Sequence, residues 1–305
     1  MGKTTDIEWC DSTHNLQMGC DGCELWNPKA GVLHCYAGTL HERWAGKNKG
    51  WPDAFDKPKL FLHRLDEMLR WSDLTGKSRP EKPWLDGLPR MIFLNDLGDT
   101  FTESLPLDWL APILPKLSES PHQFMVLTKR GHRLRQFSEQ HPLPLNVWPG
   151  VSVTSDANIG RINDLLAVRG GGPKWISAEP LLSRIGLDSH GRGWLGSWDC
   201  RISLVIVGGE SGPNARECNL AWVREIVSQC GNAGVPAFVK QLGANVIYDG
   251  FQDAGDWWPR QSGQFPVEDG LFRKCLVDRK GGNPSEWQPS LRVRQFPKIE
   301  SAVTA

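Results

Sequence analysis

Between residues 90 and 240, short apolar runs alternate with longer stretches in which apolar residues recur at helical spacing. The runs at 90–95, 123–128, 147–153, 174–178, 204–207 and 237–240 are nearly continuous, as expected of parallel strands covered on both faces. The stretches at 107–117, 131–140, 157–168 and 220–230 predict helices; in the last, Leu220, Val223, Val227 and Cys230 share one face. A weaker strand is expected at 4–9, and a helix from Tyr36 to about Lys47. Roughly seven strands alternating with helices predict an α/β fold, a partial or complete (β/α) barrel first and a doubly wound open sheet second. The barrel is placed at 1–243, with Trp-rich insertions at 48–88 and 182–201. Residues 244–305 carry no clear periodicity and read as an irregular extension packed on the barrel.

Composition narrows the class. The chain has 305 residues, 39% hydrophobic and 23% charged, enough for a sizeable core and unlike a disordered chain. Lys+Arg and Asp+Glu number 35 each, so any contact with nucleic acid or anionic lipid must be local. No run is long and apolar enough for a membrane span and no secretory signal opens the chain, so a soluble, cytoplasmic protein without membrane partners is expected.

In parallel βα folds, chemistry collects where strands end. Here those ends carry Asn95 and Asp99, Lys129, Ser152, Glu179, then Gly208-Gly209-Glu210, then Lys240. Together they suggest a polar pocket at the barrel mouth, although polar βα loops that cap helices would give a similar pattern. Gly208-Gly209-Glu210-Ser211-Gly212 is no nucleophile elbow, because Pro213 stands where that turn needs glycine. The glycine pair reads as an opening for a ligand to approach the backbone, with Glu210 binding an amine or hydroxyl. Lys129, Arg130, His132, Arg133 and Arg135 form the densest basic patch, a solvated helix face or a phosphate contact. Of the 15 tryptophans, Trp257, Trp258 and Trp287 are candidates for stacking bases, against the plainer role of core or lid.

The eight cysteines are unevenly placed. Cys20, Cys23 and Cys35 fall between the first strand and the first helix, where three thiolates suit a soft metal or an iron–sulfur cluster. Tetrahedral zinc would need a fourth ligand, and Cys10, His14 and His34 are the candidates; Cys10 reads equally as a small buried residue. Cys230 reads as core, and Cys200, Cys218 and Cys275 have no nearby partner in sequence.

Ile7-Glu8-Trp9, Gly19-Cys20, Cys35-Tyr36-Ala37 and Ile92-Phe93-Leu94-Asn95 resemble the phage-associated three-cysteine-motif family, whose activity is not established. So do Val126-Leu127-Thr128-Lys129-Arg130, Pro149-Gly150-Val151-Ser152-Val153, Ser177-Ala178-Glu179-Pro180 and Val207-Gly208-Gly209-Glu210. That family is in turn similar to radical S-adenosylmethionine enzymes. The resemblance implies a partial barrel whose first βα loop holds a [4Fe–4S] cluster on Cys20, Cys23 and Cys35, with Tyr36 beside it. It implies S-adenosylmethionine as cofactor. By their place at the strand ends, Asn95, Asp99, Ser152, Gly208 and Gly209 are the candidate pocket residues that bind it; the superfamily's own Gly-Gly-Glu role is not transferred, because it belongs to the second strand there and the sixth here. Lys129, Glu179, Glu210 and Lys240 are the candidate catalytic residues. Phage association and the basic patch together suggest a nucleotide or nucleic-acid substrate, and family members are often encoded beside a dedicated partner protein. The rival readings are a zinc-dependent hydrolase or nuclease, and a zinc-stabilised binding module that works with a partner.

Overall fold

The computed structural model describes residues 3–47, 49–187, 193–195, 202–249, 264–268 and 270–299. Its main element is a seven-stranded sheet: β1 Ser12–His14, β2 Met91–Leu94, β3 Gln123–Thr128, β4 Val147–Ser152, β5 Lys174–Ala178, β6 Ile202–Gly208 and β7 Ala237–Gln241. The strands follow one another in chain order across the sheet. Neighbours β1–β2, β2–β3, β3–β4, β5–β6 and β6–β7 pair in parallel. A doubly wound sheet reverses its strand order at a switch point; an order with no reversal is that of a partial βα barrel.

The apolar runs fold as the periodicity predicts because their side chains are buried on both faces: β2 and β4 are buried at every position. The first strand differs. Residues 4–9 form no strand, and β1 is instead the polar triplet Ser12-Thr13-His14, fully buried beside β2. Ser12 Oγ donates to the Lys3 carbonyl and accepts from Arg90, so polarity is satisfied inside the fold.

The helices are α1 Tyr36–Trp44, α2 Leu65–Leu69, α3 Leu114–Ser118, α4 Gly131–Gln140, α5 Arg161–Leu166 and α6 Leu220–Ala233. The helix expected at 107–117 shortens because Pro112 and Pro115 confine its start to a 3₁₀ turn, Ala111–Ile113. The helix expected at 157–168 is likewise α5 alone, preceded by the turn Asp156–Asn158. Helix α6 starts at Asn219, whose side chain accepts from the Ala221 amide, and ends at Gly234 in the left-handed region.

Two compact units divide the chain: Met1–Val151 with Asn163–Gly172, and Ser152–Ile162 with Pro173–Ala305. In the first, the insertion at 48–88 is bound to the N-terminal segment. Arg79 and Asp11 form a buried ion pair at 2.7 Å, and Lys82 Nζ donates to the carbonyls of Thr5, Ile7 and Cys10. In the second, a four-stranded sheet joins Cys218–Asn219, Val246–Asp249, Leu271–Lys274 and Gln264–Glu268. Residues 244–305 are therefore not wholly irregular. Trp287 is fully buried with its indole N–H on the Gly281 carbonyl, so it is core and not a base-stacking surface. Much of 182–201, Cys200, and Trp257 and Trp258 lie outside the described residues. Among the described residues no helix is long and apolar enough to cross a membrane.

Candidate functional site

The loop after β1 carries the cysteines. Cys23 and Trp26 exchange backbone hydrogen bonds, and Trp26–Asn27 then pairs with Val32–Leu33 in a small hairpin. The eleven residues between Cys23 and Cys35 are thus a hairpin that returns the chain to the start of α1. Gly38 lets it dock: a Cβ there would lie 2.5 Å from the Trp26 indole, with no room for a side chain. Cys20 and Cys35 pack on one apolar cluster, with Met18, Trp26, Phe55 and Leu97.

Each thiol has a distinct environment. Burial and the Asp99 carboxylate push Cys20 up to about 11, while the Arg130 guanidinium acts in the opposite sense. Burial also raises Cys35, opposed by the amides of Gly38 and Ala37 at the α1 N-terminus and by the charge of Lys129. Cys23 Sγ accepts from the Leu25 amide at 3.4 Å.

The loops after β2 and β3 complete this cluster. Asn95, with φ of 65°, accepts from the amides of Leu16 and Gln17 and donates to Thr100 Oγ1. Asp99 accepts from Phe101 N, Thr128 Oγ1 and Lys129 N, and pairs with Arg130 at 2.9 Å. Both side chains expected to bind cofactor are therefore engaged in holding the loops together. Tyr36 is 55% exposed, and its hydroxyl donates to the Asp96 carbonyl. The Lys129 ammonium makes no hydrogen bond or ion pair among the described residues.

The basic patch is largely neutralised. Arg133 and His132 meet Glu103 at 3.0 and 3.3 Å, and Arg135 meets Asp164 at 3.0 Å. Of the proposed fourth ligands, His14 is buried, with Nε2 on the Arg64 carbonyl and its ring edge-on to Trp71. Cys10 is fully buried and His34 is exposed.

In the second unit, Glu179 and Lys240 form an ion pair at 3.1 Å at the ends of β5 and β7, and Ser152 Oγ donates to the Glu179 carbonyl. Glu210 does not await a ligand amine: Arg216 grips its carboxylate through N, Nε and Nη2, each at 2.9 Å. Nor do Gly208 and Gly209 open the backbone to a ligand. A Cβ on Gly209 would lie 2.2 Å from the Leu242 carbonyl, and one on Gly208 would lie 3.0 Å from Gln241 O and Glu179 Oε1. The close neighbour is the chain itself.

The family model described as protein of unknown function (DUF5131) matches residues 4–270. The chain belongs to that family. No curated protein and no solved structure matches it.

In this DUF5131 member a thiolate-bound group would draw on Cys20, Cys23 and Cys35, none of them in a disulfide. Among the described residues, no three His, Cys, Asp or Glu side chains stand together as a group that could hold a metal ion. The sequence places the three cysteines in one loop, with the Arg130 guanidinium 3.5 Å from Cys20 Sγ; the described donors as they stand do not make a metal-holding set. Sequence reasoning left Arg130 and Asp96 without a role of their own. Nothing in the pattern separated Arg130 from its basic neighbours, or Asp96 from Asp99, because their reach depends on how three loops meet.

Proposed function

We propose that this chain is an iron–sulfur enzyme of the radical S-adenosylmethionine kind, with Cys20, Cys23 and Cys35 as ligands of a [4Fe–4S] cluster, acting on a nucleotide or nucleic acid. What supports this reading is three cysteines, none in a disulfide, in the first βα loop of a parallel sheet, with the Arg130 guanidinium 3.5 Å from Cys20 Sγ. When bound, such a cluster supplies one electron for reductive cleavage of the S-adenosylmethionine sulfonium.

The chain's own residues have definable tasks. Arg130 and the α1 N-terminus oppose the rise that burial imposes on Cys20 and Cys35. Tyr36, exposed beside Cys35 and fixed to Asp96, offers an aromatic wall to a bound molecule. Lys129 keeps its ammonium for an anionic group of the cofactor or substrate. In the second unit the partly exposed Glu179–Lys240 pair is the group best suited to hold a hydroxyl or move a proton. Glu210 is assigned no such step, because Arg216 already engages it.

The test is anaerobic purification with assays of iron, sulfide, zinc and the visible spectrum. The expected result is a brown protein with about four irons per chain. After reduction it should convert S-adenosylmethionine to 5′-deoxyadenosine, and replacing all three cysteines by alanine should abolish both properties. Stoichiometric zinc without iron under the same conditions overturns this reading in favour of a zinc enzyme or a zinc-held binding module.

A further inference from the structure

Asp96 stands in the turn that follows β2, closed by the Gly98 amide on the Asn95 carbonyl at 3.1 Å. Asn15, from the loop after β1, braces it: Nδ2 donates to Asp96 Oδ1 at 2.5 Å, and Oδ1 accepts from the Leu97 amide at 2.9 Å. The Tyr36 hydroxyl donates to the Asp96 carbonyl and lies 3.4 Å from Asp96 Oδ2. A hydroxyl has one proton to give, so Oδ2 is left without a donor of its own, on a residue that is only partly buried. The same contact fixes the Tyr36 ring, which is 55% exposed. Lys129, at the end of β3, acts electrostatically on Cys35, the residue before Tyr36, and its ammonium makes no hydrogen bond or ion pair among the described residues. Three loops thus bring to one neighbourhood an aromatic face, a carboxylate oxygen and an ammonium. A base ring, its amino edge and a phosphate require those three groups in turn.

We propose that Tyr36, Asp96 and Lys129 form a nucleoside-phosphate site that selects bases carrying an exocyclic amino group, with Asp96 as the specificity-determining residue. The inference rests on the nucleotide part of the reading above and not on a metal, since none of the three residues is a proposed ligand. Stacking on Tyr36 gives affinity without choice, because every base has a flat face. Lys129 meets a phosphate as a point charge and carries no base information either. Choice falls to Asp96 Oδ2, which accepts from an amino N–H. A base with a carbonyl at the same position would set two acceptors against each other. A free mononucleotide and an unpaired base in a single strand share this chemistry.

The experiment is calorimetric titration of the full chain with CMP against UMP and AMP against IMP, pairs that exchange an amino group for a carbonyl. Short single-stranded oligomers of cytidine and of uridine form the second arm, and circular dichroism verifies the fold of each variant. In at least one pair the amino member is expected to bind about tenfold tighter, the worth of one hydrogen bond to a charged group. Asp96→Asn turns the free acceptor into an amide donor and should bring that ratio to one or below. An Asp96 that only held loops together would weaken both members alike and leave the ratio unmoved. Tyr36→Ala should weaken both members about fivefold or more with the ratio kept. Lys129→Ala should weaken the nucleotides and leave cytidine and adenosine unchanged. Tighter binding of the mononucleotide than of the oligomer supports a free nucleotide as the ligand, and the reverse supports an unpaired base in a strand. Equal affinities within both pairs, or an unmoved ratio in folded Asp96→Asn, overturn the inference and leave the nucleotide reading standing. Where Asp96→Asn does not fold, the wild-type ratio decides together with Tyr36→Ala: selectivity with weakened binding supports the site, and unweakened binding refutes it. A wild type that binds none of these ligands overturns both.

Discussion

Cys218 is completely buried, and a Cβ on Gly209 would lie 2.9 Å from its Cβ. The same seclusion that denies Gly209 a side chain keeps water from the thiol, and burial pushes Cys218 up to about 12, against an ordinary value of 9.0. Because the folded value lies above the unfolded one, the protonated thiol favours the native state. Its contribution is complete below about pH 9 and is lost as pH rises toward about 12, where the unfolded thiol ionises and the folded one does not. Each pH unit in that window costs about 1.4 kcal/mol. Cys218→Ala removes this one group. Its stability difference from wild type in denaturant unfolding should therefore move in the variant's favour by about that slope between pH 9 and about 10.5. A difference that stays constant across this range would show that the thiol is not secluded.

At the scale of elements, what could be read from the sequence divides along a physical line. Strands β2 to β7 were legible because each is a run of buried apolar side chains, and α4 was legible to the residue. Strand β1 was not: hydropathy cannot mark Ser12, Thr13 and His14 as interior when partners 50 or more residues away satisfy some of their polar atoms. The insertion at 48–88 looked like a departure from the barrel, yet Arg79 holds Asp11 at the entrance to β1. Asp11 in turn accepts from the Met91 amide at 2.8 Å at the start of β2. Arg79 also donates to the carbonyls of Leu85, Leu88 and Pro89, so a single side chain fixes the insertion and the strand entrance together. Removing one partner of a buried pair leaves the other charge uncompensated, at about 3–5 kcal/mol. Arg79→Ala should lose about that much in urea unfolding, whereas Arg79→Lys should recover only part. A loss below about 1 kcal/mol would place this pair among ordinary surface bridges.

At the scale of the molecule, charge is what limits function. The polar groups at the strand ends meet partners in neighbouring loops, a pairing that hydropathy and spacing do not encode because those loops approach only in three dimensions: Glu210 meets Arg216, Asp99 meets Arg130, and Arg133 meets Glu103. What remains is sparse. Lys129 is the member of the basic patch whose cationic head makes no hydrogen bond or ion pair among the described residues, in a chain whose 35 basic and 35 acidic residues balance. Nucleic-acid affinity that depends on phosphate neutralisation falls with salt at a slope of about −0.9 for each phosphate engaged. One available lysine therefore predicts a slope for duplex DNA no steeper than about −2, with little binding left near physiological salt. Fluorescence anisotropy across a salt series measures this directly. Lys129→Ala should flatten what slope there is, and Glu103→Gln, which frees Arg133 and relieves a carboxylate in the patch, should steepen it. A wild-type slope of −5 or steeper, on the scale of about six phosphates, would mean that the ion pairs open on binding. A shallow slope instead directs the search for substrate toward a single nucleotide, or a flipped or single-stranded base, recognised by a few groups around the cysteine loop and not by an extended basic surface.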